Sequence, residues 1–492
     1  MVRWTKIGSA TSRSLLALAA GAAAASCAGP PPRAPAATGA GAWSYEVALD
    51  ERAETLAITG ALAPTASTEL TVNEGAEPFV GGVEFSAAGA PWEGVEPRDG
   101  SWTIPACARG CRIRYRFDLR AAAEALDADD TATSLHGVLE APPATWLLRP
   151  LETRDEVVTW HVTAPPGVAF VTGVHGVPGA ADTYRVAARE LHLTPYTVMG
   201  RLRTRAVDVG GGAHVTMAVA AGKLAPTDDM LAAWVARAGR AVTAFYGAFP
   251  IDGTMIAVIP TRGRSVGFGR TMAAGGASIM VNVGRDTGAA ALDADWVMVH
   301  EMIHLAFPSM PRERVWIEEG LATYLEPIIR ARAGMIKEEE AWRGFRDMMP
   351  NGLPAPGDRG LDRTHTWGRV YWGGALFCLL ADLDIRQRTK NRRTLEDALR
   401  GVLEAGGNDA VRWPLERALD AGDHAIGVPA LRELHARMGS EPFPVDLDAL
   451  FGDLGVTLVG GRAVLDDSAP LAAIRRSMTA PFAASPAAAA AR

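Results

Sequence analysis

The chain has 492 residues, which at roughly 150 residues per domain leaves room for about three domains. Apolar residues make up 48% and charged residues 21%, a globular balance that excludes global disorder. The net charge of −7 argues against a nucleic-acid-binding protein, because neutralising phosphates requires an excess of basic residues.

The first 26 residues resemble a bacterial export signal. Basic residues are followed by an apolar stretch at 15–25, which is too short to span a bilayer as a helix, so 1–26 is predicted to be a cleaved signal peptide. Cys27 directly follows small residues, which favours lipidation of Cys27; an ordinary secretory cleavage nearby is the alternative. Residues 27–42, rich in Pro, Ala and Gly, predict a flexible tether.

The pattern from 43 to 222 is that of a β domain. Its clearest strand is 111–119, where Ile113, Tyr115 and Phe117 alternate with arginines, as on a half-buried strand of a sandwich. Further strands are predicted at 154–163, 197–208 and 213–220.

The cysteines after residue 27 have two predicted environments. Cys107 and Cys111 flank a turn-like Ala-Arg-Gly, so a small disulfide is plausible in an oxidising compartment, and two reduced thiols are the alternative. Cys378 lies in an apolar run and is predicted to be a small core residue.

The pattern changes near Thr227, and from Asp293 onward the sequence is mostly helical. In 223–407 we expect a helix at 228–246, a buried strand at 255–259 and a glycine-rich segment at 262–285. Further helices are predicted at 293–306, 314–332, 336–348, 368–388 and 394–405. A helical C-terminal region, 408–476, and a disordered tail, 477–492, follow. The predicted fold class is α+β, with an N-terminal antiparallel β-sandwich-like domain.

A His-Glu-x-x-His sequence at 300–304 is the most informative motif. Two histidines four residues apart share one face of a helix, so His300 and His304 can bind the same zinc ion. Glu301 lies beside them, placed to take a proton from the water that the metal activates. The apolar flanks indicate a buried helix, in which imidazoles and a carboxylate need a partner to offset their desolvation.

A second predicted helix supplies a third ligand. The segment 316–324 contains Glu318 and Glu319, and either carboxylate completes a set of three protein ligands. Three protein ligands leave the fourth position for water, as in catalytic zinc sites, whereas structural sites fill all four positions, typically with cysteines. The sequence therefore predicts a catalytic zinc centre.

These motifs resemble those of the gluzincin metallopeptidases, the group that includes aminopeptidase N and thermolysin. The resemblance rests on His-Glu-x-x-His at 300–304 and Trp-x-x-Glu-Gly-x-Ala at 316–322. Within the group, the segment 371–389 is most similar to the glycyl aminopeptidase family. The family's glutamate ligand precedes a glycine, which favours Glu319, before Gly320, as the third ligand.

The resemblance also implies a thermolysin-like catalytic domain and a role for each residue. His300, His304 and Glu319 would bind Zn²⁺. Glu301 would be the general base and later the acid that protonates the leaving amine. Tyr371 matches the tyrosine that stabilises the oxyanion on the side opposite the metal; a core aromatic is the alternative interpretation.

The glycine-rich segment resembles the family's Gly-Gly-x-Glu substrate strand. On this basis the predicted substrate-binding residues are Gly275, Gly276, Ala277 and Ser278. Ser278 stands where the family has the glutamate that holds a free amino terminus, so the substrate ammonium loses its charged partner. This weakens the prediction of aminopeptidase specificity and keeps endopeptidase activity open. A plain edge strand and loop is the alternative.

Taken together, these features predict an exported zinc metallopeptidase that acts on peptide or protein substrates. It would reside in the periplasm or outer membrane, attached to the membrane only through lipidated Cys27, and have no nucleic-acid partner. A catalytically inactive, zinc-stabilised binding or scaffold lipoprotein is the main alternative, and hydrolysis of a non-peptide amide or ester is a third. The oligomeric state and the membrane leaflet stay open.

Overall fold

The computed structural model describes residues 43–64, 68–87, 90–128, 130–151 and 156–483. The predicted signal peptide, Cys27 and the tether lie outside the described residues, as do 484–492. Within the described ranges, every helix is too short or too polar to cross a membrane.

Strands dominate the first part of the chain because apolar and polar residues alternate along it. The strands are β1 (Trp43–Leu49), β2 (Thr55–Leu62), β3 (Thr68–Thr71), β4 (Val80–Ala87), β5 (Glu93–Gly94), β6 (Trp102–Ile104), β7 (Cys111–Asp118), β8 (Thr133–Leu135), β9 (Val138–Glu140), β10 (Arg149–Pro150), β11 (Val157–Thr163), β12 (Ala169–Thr172), β13 (Thr183–Ala187) and β14 (Thr197–Gly200). Two short helices, α1 (Leu119–Leu126) and α2 (Pro143–Trp146), interrupt them.

These strands form one large and two small sheets. The large sheet has the order β13-β11-β1-β2-β7-β4-β5, and its neighbours are antiparallel except for β1 and β11. The predicted alternation on β7 is confirmed, since Ile113, Tyr115 and Phe117 are buried between exposed arginines. A disulfide joins Cys107 to Cys111 at the start of β7.

Helices and a second sheet make up the rest of the chain. The elements are β15 (Arg203–Val207), β16 (His214–Val219), α3 (Asp228–Tyr246), β17 (Gly253–Thr261), β18 (Val266–Ala273), β19 (Ala277–Gly284), α4 (Ala289–Asp293), α5 (Val297–His304), α6 (Val315–Arg332), α7 (Glu338–Met348), α8 (Gly374–Thr389), α9 (Leu395–Glu404), α10 (Leu415–Ile426), α11 (Ala430–Met438), α12 (Leu447–Leu454), β20 (Val456–Val459), β21 (Arg462–Leu465) and α13 (Ala472–Thr479). A π-helical turn, Arg369–Gly373, leads into α8. The helices predicted between 293 and 405 are present, with ends shifted by a few residues.

The second sheet has the order β15-β16-β17-β19-β18. Its three central strands are parallel, and the edge strands β15 and β18 run antiparallel to their neighbours. The expected domain boundary at 222 needs correction, because β15 and β16 pair into this sheet through the crossover helix α3. The other edge strand, β18, packs against α5 and so positions the functional site.

The C-terminal region shares the core of this second part. One buried apolar cluster extends from Val207 to Met478, so 408–476 is not a separate core. The hairpin β20–β21 replaces part of the expected helical region, and its turn residues Gly460 and Gly461 both have positive φ. The predicted disorder from 477 is also corrected, since α13 reaches Thr479 and the main-chain N–H of Phe482 donates to the carbonyl of Arg332 at 3.1 Å. Cys378 is buried and free, as predicted.

Candidate metal centre and cleft

Helix α5 is fixed at its amino end by a buried carboxylate. The main-chain N–H groups of Val297 and Met298 donate to the Asp295 side chain at 3.0 and 3.1 Å, which satisfies two of the free donors of the helix. The Trp234 indole N–H also donates to Asp295, at 2.9 Å. This anchor holds the rotation of α5 and therefore the direction in which His300 points. Asp295 was not among the residues predicted from the sequence, although an aspartate just before a helix is a known capping signal.

The three predicted ligands converge on one point. Glu319 Oε2 lies 3.3 Å from His300 Nε2 and 3.6 Å from His304 Nε2. All three ligand atoms lie within 4.8 Å of one another. Two donor atoms bound to one zinc at about 2.0–2.1 Å in tetrahedral geometry are about 3.4 Å apart. The two imidazoles and the carboxylate therefore fit a zinc ion in both chemistry and spacing.

Of the two adjacent glutamates, only Glu319 joins this group. Glu318 Oε1 instead accepts a hydrogen bond from the main-chain N–H of Met310 at 3.2 Å. Burial raises the pKa of Glu318 well above its usual range. Burial would also raise the pKa of Glu319, but the hydrogen bond from His300 and the neighbouring imidazoles outweigh burial and lower it. Glu319 is thus held as the carboxylate that a cation requires.

The predicted base, Glu301, is buried between α5 and the edge strand β18. Thr271 Oγ1 lies 2.7 Å from Glu301 Oε2 and 3.0 Å from its main-chain oxygen, so the hydroxyl donates to Glu301. Gly269 on the same strand permits this close packing, because a Cβ there would be 2.7 Å from Glu301 Cγ. Neither Thr271 nor Gly269 was predicted, since nothing in the sequence says which strand faces the helix.

Tyr371 reaches the same centre from the π-helical turn. Burial, together with the charge of Glu319 beside it, raises the pKa of the Tyr371 hydroxyl to about 12. Two glycines make the approach possible, because a Cβ on Gly320 would lie 2.4 Å from the backbone of Gly374. The helix that carries Glu319 thus touches the helix that follows Tyr371, and the two side chains meet.

The π-helical turn is itself tied down by a buried ion pair. Arg369 Nε lies 2.8 Å from Asp358 Oδ2, and both side chains are almost fully buried. An Arg369 N–H also donates to the carbonyl of Gly352. Single π-helical turns occur frequently at functional sites, and this one sets the direction of Tyr371.

An open cleft of about 1080 Å³ runs over the grouped ligands. One wall, formed by α5, α6 and the π-helical turn, holds His300, Glu301, His304, Glu319 and Tyr371. The other wall is the edge strand at 266–271, and residues of α7 also line the cleft. The volume lies slightly above the range typical of small-molecule sites, about 300–1,000 Å³, so the cleft can hold several residues of an extended chain.

The predicted substrate segment does not line this cleft. Ser278 is fully buried in β19, where its Oγ accepts a hydrogen bond from the Tyr196 main-chain N–H at 2.9 Å. Gly276 pairs with Val174, and a Cβ on Gly276 would lie 2.0 Å from the Gly173 carbonyl oxygen. Gly275, Gly276, Ala277 and Ser278 therefore contact the N-terminal domain, and their glycines serve that close approach. The neighbouring strand β18 lines the cleft instead.

Asp409 is a cleft residue that the sequence analysis missed. It lies between α9 and α10, where its main-chain N–H donates to the Leu305 carbonyl at 3.2 Å, and its side chain is 8% exposed. Burial and the charge of Glu301 raise the pKa of Asp409 to about 7. No periodic pattern marks this residue, so only the tertiary structure brings it to the cleft.

Comparison of the sequence with models of known protein families gives no match, and no curated protein matches it in sequence. Solved structures do match its fold. An aminopeptidase N family protein from Idiomarina loihiensis aligns with a TM-score of 0.64 over 84% of this chain and 78% of its own, at 13% identity. The M1 zinc metallopeptidase from Deinococcus radiodurans aligns with a TM-score of 0.51 over 82% of this chain and 94% of its own, at 15% identity.

A mutant of the Deinococcus enzyme bound to a Tyr-Ser-Ala substrate aligns with a TM-score of 0.50, over 82% of this chain and 94% of its own, at 16% identity. The narrower resemblance to glycyl aminopeptidases stays a prediction. The chain therefore matches the M1 aminopeptidase N and zinc metallopeptidase family in fold, and it carries in His300, His304 and Glu319 a group that could hold a metal ion.

Proposed function

We propose that this protein is a zinc-dependent metallopeptidase that hydrolyses peptide bonds in the cleft between β18 and helices α5 and α6. The main observation behind the proposal is that the ligand atoms of His300, His304 and Glu319 lie together. Tyr371 and the buried Glu301 line the same cleft. The match to M1 metallopeptidases supports it, as does the Deinococcus mutant, which binds a tripeptide substrate.

Glu301 is the proposed base. Zinc, when bound, supplies Lewis-acid polarisation of the substrate carbonyl and lowers the pKa of water. Thr271 holds Glu301 Oε2 at 2.7 Å and leaves Oε1 to accept the proton of the attacking water. Glu301 then delivers this proton to the leaving amine, so that the carboxylate returns to its starting state.

Tyr371 is the proposed oxyanion donor. Its pKa, raised to about 12, keeps the hydroxyl protonated at neutral pH and able to donate a hydrogen bond. In the free protein the hydroxyl lies close enough to Glu319 for the charge of that carboxylate to raise its pKa. When the substrate carbonyl oxygen becomes negative, the hydroxyl can turn to it, and a preorganised donor is worth most at that point.

The edge strand gives no support to removal of single amino-terminal residues. Its cleft-lining residues, 266–271, include Arg270 and no carboxylate, so this strand offers a substrate ammonium no charge-assisted partner. Ser278 lies outside the cleft, so its identity does not affect how a substrate amino terminus is bound. Glu326, Glu340 and Asp409 also line the cleft and could hold an ammonium, so internal cleavage is proposed on the composition of β18 alone.

The test is digestion of a mixed peptide library, read by mass spectrometry, with parallel measurement of bound metal. We expect about one zinc ion per chain, internal cleavage products, loss of cleavage with a chelator and recovery when zinc is returned. Ladders that lose single amino-terminal residues would establish aminopeptidase activity instead. A zinc-loaded protein that leaves the library intact would favour the inactive binding protein.

Export and lipid anchoring through Cys27 are part of the same proposal, and they rest on the leader sequence alone. Radiolabelled palmitate should be incorporated by the full chain in a bacterial host and not by the Cys27→Ala variant. Equal labelling of the two would contradict the anchor.

A further inference from the structure

Aromatic rings are exposed around the mouth of the cleft. Phe268, Trp296 and Trp367 are 63%, 50% and 57% exposed, and all three line the cleft. We call these three residues the aromatic rim. Soluble proteins rarely expose neighbouring large apolar groups unless the surface binds something.

This chain buries other large aromatic rings, so the exposure of the rim is not a general property of its aromatic residues. Trp146, Trp160, Trp316 and Trp342 are all almost completely buried. Each Å² of apolar surface left in water costs about 25 cal/mol relative to burial, so three exposed rings at one place lower the stability of the free protein. They also come from three different segments, so one local packing fault does not account for all three.

Each ring of the rim lies next to a residue of the proposed catalytic machinery. The Trp296 ring meets the His300 imidazole edge to face, with centroids 5.5 Å apart. The Trp367 ring lies 6.1 Å from the ring of Tyr371.

Phe268 completes the set on the strand side. It directly precedes Gly269, the glycine that packs against the side chain of Glu301. The rim therefore surrounds the place where the scissile bond would be held, and side chains on either side of that bond would meet an aromatic surface.

We propose that the aromatic rim determines specificity and selects peptides with large apolar, above all aromatic, side chains next to the scissile bond. This inference rests on the proposed peptidase function. Aromatic side chains gain both burial of apolar area and favourable ring geometry against Phe and Trp. Arg270, two residues from Phe268, also lines the cleft and disfavours a cationic side chain beside that ring.

The experiment compares kcat/KM for one peptide scaffold that carries Phe, Leu, Ala, Asp or Lys next to the cleaved bond. For the wild type we expect kcat/KM to be highest for the Phe peptide, lower for Leu, lower again for Ala, and lowest for Asp and Lys. Trp296→Ala, Trp367→Ala and Phe268→Ala should each reduce the Phe-to-Ala ratio about tenfold, the scale of one well-placed apolar contact.

The matched control is Val459→Ala. Val459 is 63% exposed, like the rim residues, but it lies on the hairpin β20–β21 and not in the cleft. This variant should keep the wild-type ratio. Thermal unfolding of all variants checks that each is folded, and their zinc content should equal that of the wild type.

A second measurement does not depend on turnover. Binding of the same peptides to the zinc-loaded Glu301→Gln variant, followed by calorimetry, should show the same order of preference and lose it with each rim substitution. If the wild type cleaves Phe and Ala peptides equally, or prefers Lys, the rim proposal is overturned while the peptidase proposal stands. If peptides bind in the expected order and none is cleaved, the peptidase proposal fails and the rim stands as a binding surface.

Discussion

The two walls of the cleft show how differently a site can be encoded. The helical wall, formed by α5, α6 and the π-helical turn, holds the proposed ligands, base and oxyanion donor. The strand wall is the edge strand β18, which contributes Gly269 and Thr271. Sequence motifs placed the chemistry of the first wall, but the expected substrate segment of the second lies one strand away, in and before β19.

The difference follows from the range of the interactions involved. Two histidines four apart on a helix share a face whatever the rest of the fold does. Which strand lies at the edge of a sheet depends on pairings between distant segments, and here β19 inserts between β17 and β18. The local sequence is therefore enough to predict which side chains share a face of the helical wall. The residues of the strand wall can be predicted only when the order of all strands in the sheet is known.

The largest expected effect is loss of the proposed base from the helical wall. Glu301→Gln keeps the volume of the side chain and an oxygen that can accept from Thr271, but it removes the group that takes the proton. We expect kcat to fall about 10²–10⁴-fold with unchanged zinc content. Steady-state kinetics and metal analysis measure both; full turnover in this variant would show that another group is the base.

The next largest effect is expected at the oxyanion donor. Tyr371→Phe keeps the ring against Trp367 and removes only the hydroxyl, whose pKa the charge of Glu319 raises. Loss of one such donor costs about 10²–10³-fold in kcat, whereas KM should change little. A variant with normal kcat and raised KM would instead identify the Tyr371 hydroxyl as a substrate-binding group.

Much of the fold followed from periodicity, and the exceptions have physical reasons. The alternation at Ile113, Tyr115 and Phe117 gave the strand β7 correctly. The parallel strand β16 was placed in the wrong domain, because its partner β17 lies beyond the crossover helix α3.

The candidate site divides in the same way. His300, Glu301, His304, Glu319 and Tyr371 were found from short motifs and a family resemblance. Asp409 reaches the cleft from a loop more than a hundred residues beyond α5, and no local pattern marks such a residue. Spacing along the chain identifies site residues that lie on one helix. Residues such as Asp409 reach the cleft through long-range packing, which the spacing does not show.

The contact between α6 and α8 should be the most sensitive packing point of the helical wall. Gly320→Ala would place a Cβ 2.4 Å from the backbone of Gly374 and force the two helices apart. We expect a loss of at least about 2 kcal/mol in the free energy of unfolding, measured with denaturant, together with loss of activity. The control is Gly452→Ala in α12, where a Cβ meets nothing within 4 Å. It should stabilise the protein by about 0.5–1 kcal/mol, and equal behaviour of the two variants would contradict the tight contact.

The smallest effect tests whether the strand wall contributes to catalysis at all. Gly269→Ala would place a Cβ 2.7 Å from Glu301 Cγ and 2.8 Å from Val297 Cγ1, so the side chain of the base must shift. Because small displacements of a catalytic group are costly, we expect kcat to fall about tenfold or more while zinc content stays normal. The matched variant on the same strand is Gly267→Ala, whose Cβ would meet Asn282 at an ordinary 3.6 Å and whose loss should be much smaller.

The two glycine variants separate two accounts of Glu301. If its position depends on the strand, Gly269→Ala loses kcat and Gly267→Ala largely keeps it, since only the first pushes on the carboxylate. If both variants keep the wild-type kcat, β18 can move away from α5 without lowering kcat. The helix alone then positions the base. In that case Thr271 would be dispensable too, and Thr271→Val, which removes the hydroxyl 2.7 Å from Glu301 Oε2, should leave kcat unchanged.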